Sequence, residues 1–359
     1  ITIVNFGALN KPLSLSPEIT ASILIPFGTS GPEIFSSVIG ILFTDNDIGT
    51  GAIIGSSCYN QLAIPAACGL TVAYFVGQPI KLDAQPILKD LFFYIISVIG
   101  LIFTIKDNSV DILDATLLLT LFALYVGVKV GQTYGNTSED MNGNLEVEPR
   151  GLDSGDGVCK DKMKTIDDND DDLFDNKYVN TLLTPLTYMF DITMPSQMSS
   201  IIKFFISIAW LSTISYVSVI SITDFSETLC IPHTIAGMTV LAAGSAVPDL
   251  VTAVVVIRKT GEASVGISSA ISANIFAILV GLGFPWFIKC ALNAYNGSVT
   301  SVAIHSQSLP ITSCLLLAAI FALIMALKLS EWQLFSKLAY ICGSIHAVFF
   351  CLTLVVDIY

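Results

Sequence analysis

Two hexapeptides in this chain copy one another, and each sets a single acid into apolar sequence. Gly28-Thr29-Ser30-Gly31-Pro32-Glu33 and Gly244-Ser245-Ala246-Val247-Pro248-Asp249 both run Gly, three small residues, Pro, acid, with the acids 216 positions apart. A carboxylate near the middle of a bilayer costs roughly 2.5–3.5 kcal/mol on insertion scales. A chain that carries this penalty twice, at matching places in two halves, is constrained toward a membrane protein with a cation site built on internal symmetry.

The surrounding sequence supplies the membrane spans. Apolar runs such as Leu91–Phe103, Ile201–Ile222 and Leu315–Leu327 recur along the 359 residues, and a helix needs about 20 mainly apolar residues to cross a bilayer. The pattern predicts about nine spans, near 18–43, 48–77, 87–105, 111–131, 199–222, 232–257, 264–289, 307–328 and 333–356. Only 13% of residues are charged, against about 25% in soluble domains. The expected fold class is therefore all-α and polytopic, with two inverted repeats of transmembrane helices and broken helices at the ion site. Three parts follow: a first transmembrane half, 1–131, with its repeat at about 18–77; an acidic loop, 132–184; and a second half, 185–359, with its repeat at about 232–289.

The net charge of −13 is concentrated. Residues 132–178 hold 13 acids against 5 bases, including Asp167-Asp168-Asn169-Asp170-Asp171-Asp172. Such a composition reads as a solvated linker, and its spacing does not fit an EF-hand loop. If this loop is cytoplasmic, nine alternating spans place 14 of the 16 Lys and Arg inside, leaving Lys106 and Lys289 outside. The positive-inside rule favours that orientation. It puts the sequon Asn296-Gly297-Ser298 outside, open to glycosylation, and Asn136-Thr137-Ser138 inside. The first hexapeptide then enters the membrane from the inside and the second from the outside.

Other chemistries find little support. The eight cysteines include no CxxC and no zinc spacing, and most lie in apolar spans, where Cys acts as a small hydrophobe. His233, His305 and His346 stand far apart, with no Ser/His/Asp or HExxH arrangement, so neither an enzyme nor an organic cofactor is expected. The partners expected are inorganic cations and the lipid bilayer, with no nucleic acid. The chain opens Ile1-Thr2-Ile3, without a signal-peptide pattern, and reads as a mature or truncated start.

Within each repeat, Gly and Pro beside the acid are expected to interrupt the helix, because Pro removes a donor and clashes with the preceding turn. Freed carbonyls are tolerated at membrane depth only where they line protein or water. Hard cations such as Ca²⁺ take six to eight oxygens at about 2.3–2.6 Å. Glu33, Asp249, Thr29, Ser30 and Ser245 offer oxygens of that kind. A second small-residue helix follows each hexapeptide: Gly55-Ser56-Ser57-Cys58-Tyr59-Asn60, then Ser272-Ala273-Asn274-Ile275-Phe276-Ala277. Packing alone can explain the small residues, whereas Asn60 and Asn274 are costly in lipid and are expected to face the site.

The paired hexapeptides resemble the α-repeats of the cation/calcium exchanger superfamily, and most closely its potassium-dependent sodium/calcium exchanger family. Pro185-Leu186-Thr187-Tyr188-Met189-Phe190-Asp191 with Pro195, Leu241-Ala242-Ala243-Gly244 and Gly281-Leu282-Gly283-Phe284-Pro285-Trp286 carry the likeness through the second half. The resemblance implies ten helices, of which the first is missing from this sequence. It also implies exchange of Na⁺ inward for Ca²⁺ outward, with K⁺ co-transported. Glu33 and Asp249 match the two central acids that bind Ca²⁺ and Na⁺ in turn; Thr29, Ser30, Ser56 and Asn60 match oxygen-bearing positions. The second repeat departs from the family: Ala246, Ala273 and Ala277 stand where it usually has Ser, Ser and Asp. The Asp absent at Ala277 is the position associated with potassium dependence, so Ca²⁺ transport insensitive to K⁺ is predicted.

The leading expectation is thus a secondary active Na⁺/Ca²⁺ antiporter working by alternating access, in the plasma membrane or else in an intracellular organelle. Two alternatives stay open on sequence alone. One is calcium/proton exchange, with the acids titrating in place of Na⁺ binding. The other is a transport-inactive regulatory homologue, motivated by the three alanines.

Overall fold

The computed structural model describes residues 28, 30–44, 46–142, 184, 188–190, 192–193, 199–260, 263–297, 300–306 and 308–358. Helix dominates, as the absence of water for backbone groups in lipid requires. The first half contains α1 (Gly31–Ile39) continuing as a π-helical turn to Thr44. Next, α2 (Ile48–Cys58), a π-helical turn (Tyr59–Ala63), α3 (Ile64–Thr71) and a further π-helical turn (Val72–Val76) run without a break. Then come α4 (Ala84–Ile105) and α5 (Ile112–Asn142). The second half contains α6 (Ser200–Thr228), α7 (His233–Ala236) with a π-helical turn (Gly237–Leu241), and α8 (Ala242–Thr260). It continues with α9 (Ala263–Phe276), a π-helical turn (Ala277–Leu282), α10 (Gly283–Tyr295), α11 (Leu309–Leu329) and α12 (Ser336–Ile358).

Among the described residues, seven helices are long and apolar enough to cross a membrane. The shorter Gly31–Thr44 and the mixed helix Ile48–Val76 cover the other two expected spans. Large apolar side chains point outward along these helices, among them Phe92, Leu124, Val217, Phe321, Met325 and Val348. A water-soluble surface does not carry so much exposed apolar area; a bilayer-facing one must. The polytopic all-α membrane fold expected from the apolar runs is the one observed.

Three expectations are corrected. First, α8 is not broken at the second hexapeptide: Pro248 lies inside a continuous helix. The irregularity sits upstream of the hexapeptide, in the π-helical turn Gly237–Leu241. The carbonyl that Pro248 cannot bond belongs to Gly244, which lies exposed. In the first repeat, by contrast, α1 begins at the hexapeptide itself, with Ser30 as N-cap and Pro32 in the first turn, where its missing N–H is harmless. Second, the span expected at 264–289 runs on to Tyr295. Lys289 is not a span-end charge but reaches the Ile41 carbonyl of the π-helical turn after α1, at 2.5 Å. Third, α5 continues to Asn142, past the predicted end at 131, because polar residues continue a helix once it has left the apolar layer. Calls on the acidic stretch at 143–183 lie outside the described residues.

Two short antiparallel strand pairs bind the halves. β1 (Ile80–Lys81) pairs with β4 (Gln333–Leu334), and β2 (Ser109–Val110) pairs with β3 (Val302–Ala303). The first pair joins the loop before α4 to the loop before α12. The second joins the loop before α5 to the loop before α11. Each face of the bundle therefore carries one clasp, as expected if spans alternate in direction.

The halves also meet at a close crossing of α2 and the α7 turn. A Cβ at Gly51 would lie 2.8 Å from the Thr234 carbonyl oxygen, and one at Gly55 2.7 Å from the Ala242 Cβ. Glycines four apart let two helices approach to backbone contact, and this brings the two hexapeptide repeats together.

Candidate functional site

The α2–α7 crossing places the next turn of each repeat against the other. Asn60, in the π-helical turn Tyr59–Ala63, donates from Nδ2 to Asp249 Oδ2 at 2.8 Å and to Asn274 Oδ1 at 3.2 Å. Asn274 in turn donates to the Ser57 carbonyl at 3.2 Å. From the first hexapeptide, Ser30 donates to the Ala273 carbonyl of α9 at 3.1 Å. Every one of these bonds crosses between repeats.

Glu33 lies in the first turn of α1, with an exposure of 2%. Among the described residues neither carboxylate oxygen has a hydrogen-bond partner of normal geometry. The Ser245 hydroxyl approaches it, and the charge of Asp249 reaches it across the repeat interface. Asp249 is 7% exposed. Two acids face one space with a single amide donor between them. Buried carboxylates are ordinarily paired or bound to a metal. Here, among the described residues, they are not paired with a base, so the oxygens remain available to a cation.

The structure brings together Glu33, Asp249, Asn60 and Asn274, and holds Ser30 and Ser245 at the edge of the same space. Ser56 is buried but donates to Ile53 of its own helix at 3.2 Å, and Ser245 likewise donates to Ala242 at 3.1 Å. Thr29 lies outside the described residues. Ala246, Ala273 and Ala277 are buried at 6%, 3% and 3%. Ala277 opens the second repeat's π-helical turn just as Asn60 sits in the first repeat's. π-helical turns are frequent at functional sites, and aligning Gly55–Asn60 with Ser272–Ala277 sets Ala277 opposite Asn60.

Sequence reasoning passed over several residues. Ser37, one turn after Glu33 on the same helix, has an unpartnered buried hydroxyl. Gln61, next to Asn60, has unpartnered side-chain atoms as well, and so does Ser57, which sequence reasoning assigns to packing. A polar seam positions α9 from outside the site. Ser264 accepts from the Asp83 amide at 2.9 Å, Ser268 donates to Asp90, and Ser272 accepts from the Tyr125 hydroxyl at 3.0 Å. The three serines recur every fourth residue, so they line one face of α9. Asp90 is fully buried and pairs with Lys129 of α5.

Comparison with known proteins identifies the family and the fold. The family described as sodium/calcium exchanger protein matches residues 4–131 and 199–359. The human sodium/potassium/calcium exchanger 5 is 29% identical, over 93% of this chain and 75% of its own length. The human sodium/potassium/calcium exchanger 4 is 24% identical, over 96% of this chain and 76% of its own. Two solved structures share the fold. That of the H⁺/Ca²⁺ exchanger CAX has a TM-score of 0.59 at 14% identity, covering 99% of this chain and 82% of that one. That of the sodium–calcium exchanger NCX_Mj has a TM-score of 0.51 at 17% identity, covering 96% and 90%.

Proposed function

Because the chain belongs to the sodium/calcium exchanger protein family, matched through both of its halves, we propose that it exchanges Na⁺ for Ca²⁺ by alternating access. Glu33 and Asp249 bind Ca²⁺ or Na⁺ in turn. The observation that carries this reading is the meeting of two buried acids from opposite repeats, with Glu33 unpartnered and Asp249 held by Asn60.

The chemistry of coupling follows from charge. One Ca²⁺, or several Na⁺, neutralises both carboxylates; a half-loaded site keeps an uncompensated buried charge. Loaded forms can then change their side of access, while half-loaded forms carry a penalty. Asn60 keeps the Asp249 carboxylate oriented, and its own Oδ1, unpartnered among the described residues, can join the ion's shell. Ser30 and the backbone carbonyls near it add neutral oxygens of the kind Ca²⁺ accepts.

The named relatives are sodium/potassium/calcium exchangers. In this chain the second repeat presents a methyl group at Ala277, so we propose exchange that does not require K⁺. We also propose that the acidic loop faces the cytoplasm, in keeping with the distribution of Lys and Arg, and that the protein works in the plasma membrane.

The test is radioactive Ca²⁺ uptake into proteoliposomes holding the purified chain. An outward Na⁺ gradient should drive uptake, and an equal gradient of choline or Li⁺ should not. Uptake driven by a pH gradient without Na⁺ would replace this reading with proton exchange. No uptake under either gradient would leave a protein that does not transport.

A further inference from the structure

The central acids do not account for all the buried polar atoms nearby. Ser57, Asn60 and Gln61 are exposed by 0%, 4% and 1%. Among the described residues, Ser57 Oγ, Asn60 Oδ1 and both Gln61 amide atoms lack a hydrogen-bond partner. A primary amide is rare in an apolar span, and one left wholly unsatisfied there is unfavourable on both its atoms.

The position of these atoms is set by their neighbours. Ser57 and Gln61 are one turn apart, so they share a face of the helix. The Ser57 carbonyl shows where that face looks: it accepts from Asn274 of α9 at 3.2 Å and from the Tyr94 hydroxyl of α4 at 3.5 Å. Tyr94 is itself fully buried and approaches Asn274. Asn274 also accepts from Asn60, which binds Asp249. The unpartnered group therefore adjoins the two acids but draws only on uncharged oxygens.

Resting on the exchange reading above, we propose that Gln61, with Ser57 and the Asn60 carbonyl oxygen, forms a neutral subsite for a monovalent cation beside the Glu33–Asp249 pair. Neutral amide and hydroxyl oxygens can replace the hydration shell of Na⁺ without adding charge. Ca²⁺ sites, by contrast, draw on carboxylates, and these are supplied by Glu33 and Asp249. Gln61 would then set how many Na⁺ enter and at what concentration, and leave Ca²⁺ binding to the acids.

The experiment uses the full chain in proteoliposomes, with Na⁺ titrated in Na⁺-driven Ca²⁺ uptake, and Ca²⁺ titrated in Na⁺-free Ca²⁺/Ca²⁺ exchange. Gln61→Met keeps the length and removes both polar atoms. It should raise the half-saturating Na⁺ concentration by about threefold or more and lower the Hill coefficient, with half-saturating Ca²⁺ changed by less than about twofold. Gln61→Glu adds charge and should shift half-saturating Na⁺ the other way. Unchanged Na⁺ dependence in Gln61→Met, or equal shifts for both ions, overturns the subsite. If Gln61→Met fails to fold, Gln61→Glu decides: no change in its Na⁺ dependence overturns the proposal. Thermal stabilisation of the purified protein by Na⁺ alone reads binding without transport. If Na⁺ drives no uptake, a Na⁺ stabilisation lost in Gln61→Met keeps the subsite and sinks only the exchange reading. An equal stabilisation in both forms sinks the subsite.

Discussion

Asn60 and Asp249 are 189 residues apart in the chain and 2.8 Å apart in space, amide nitrogen to carboxylate oxygen. The bond joins the second helix of one repeat to the first helix of the other, so it reports on the register of the whole interface. Hydrogen bonds to charged groups contribute about 1.5–3 kcal/mol. Asn60→Ala should therefore weaken Ca²⁺ binding by about tenfold or more. The check is half-saturating Ca²⁺ in Ca²⁺/Ca²⁺ exchange, and an unchanged value would remove Asn60 from the site.

Glu33→Gln and Asp249→Asn should each abolish Na⁺-driven Ca²⁺ uptake. Each leaves one negative charge facing a divalent ion while conserving side-chain size. Neutral side chains insert into a bilayer at least as easily as charged ones, so membrane yield should hold. Uptake at the unmutated rate in either variant would move the ion elsewhere.

The pair of fully buried Asp90 with partly exposed Lys129 predicts a stability effect separate from ion binding. Removing one partner of such a pair costs about 3–5 kcal/mol, because the other charge is left uncompensated. Lys129→Met should lower the thermal midpoint sharply, since Asp90 has no exposure. Asp90→Asn in the same chain should recover most of the loss. If the double variant is no more stable than Lys129→Met, the pair does not brace α9.

Potassium offers a gain-of-function test. Ala277 starts a π-helical turn whose wall also bears Ala273 one turn earlier. Ala277→Asp restores a carboxylate there, and beside a divalent ion the extra negative charge offsets the repulsion of K⁺. Uptake in the unmutated chain should be equal in K⁺ and in choline, and the variant should become K⁺-dependent. Strict K⁺ dependence of the unmutated chain would show that other oxygens fill the site.

Orientation can be read separately. A tag inserted within Gly151–Asp156 should be labelled only after cells are permeabilised, and Asn296, at the end of α10, should carry glycan while Asn136 does not. Labelling of the tag on intact cells would invert every span.

Much of this arrangement was legible from residue order. The two acids, the two asparagines and the succession of spans follow from costs that a bilayer imposes on any sequence. What escaped notice obeys subtler rules. Asp90 lies near the end of a predicted span, where an acid reads as interfacial, and only tertiary packing puts it against Lys129 and Ser268. Gln61 stands one residue beyond the small-residue motif, and the widened turn around Tyr59–Ala63 that gives it a place has no local signature. Pro248 is expected to break a helix, yet α8 runs through it, and the irregular turn lies upstream at Gly237–Leu241.

Each clasp strand takes its partner from the opposite half: β1 from β4 on one face, β2 from β3 on the other. Neither half contains a complete pair, and exchanging the halves exchanges the two clasps. In quaternary terms the molecule is an antiparallel heterodimer whose subunits share one polypeptide. Among the described residues, the two clasps and the α2–α7 crossing are where these subunits dock, so the geometry is chosen by contacts each half makes only with the other.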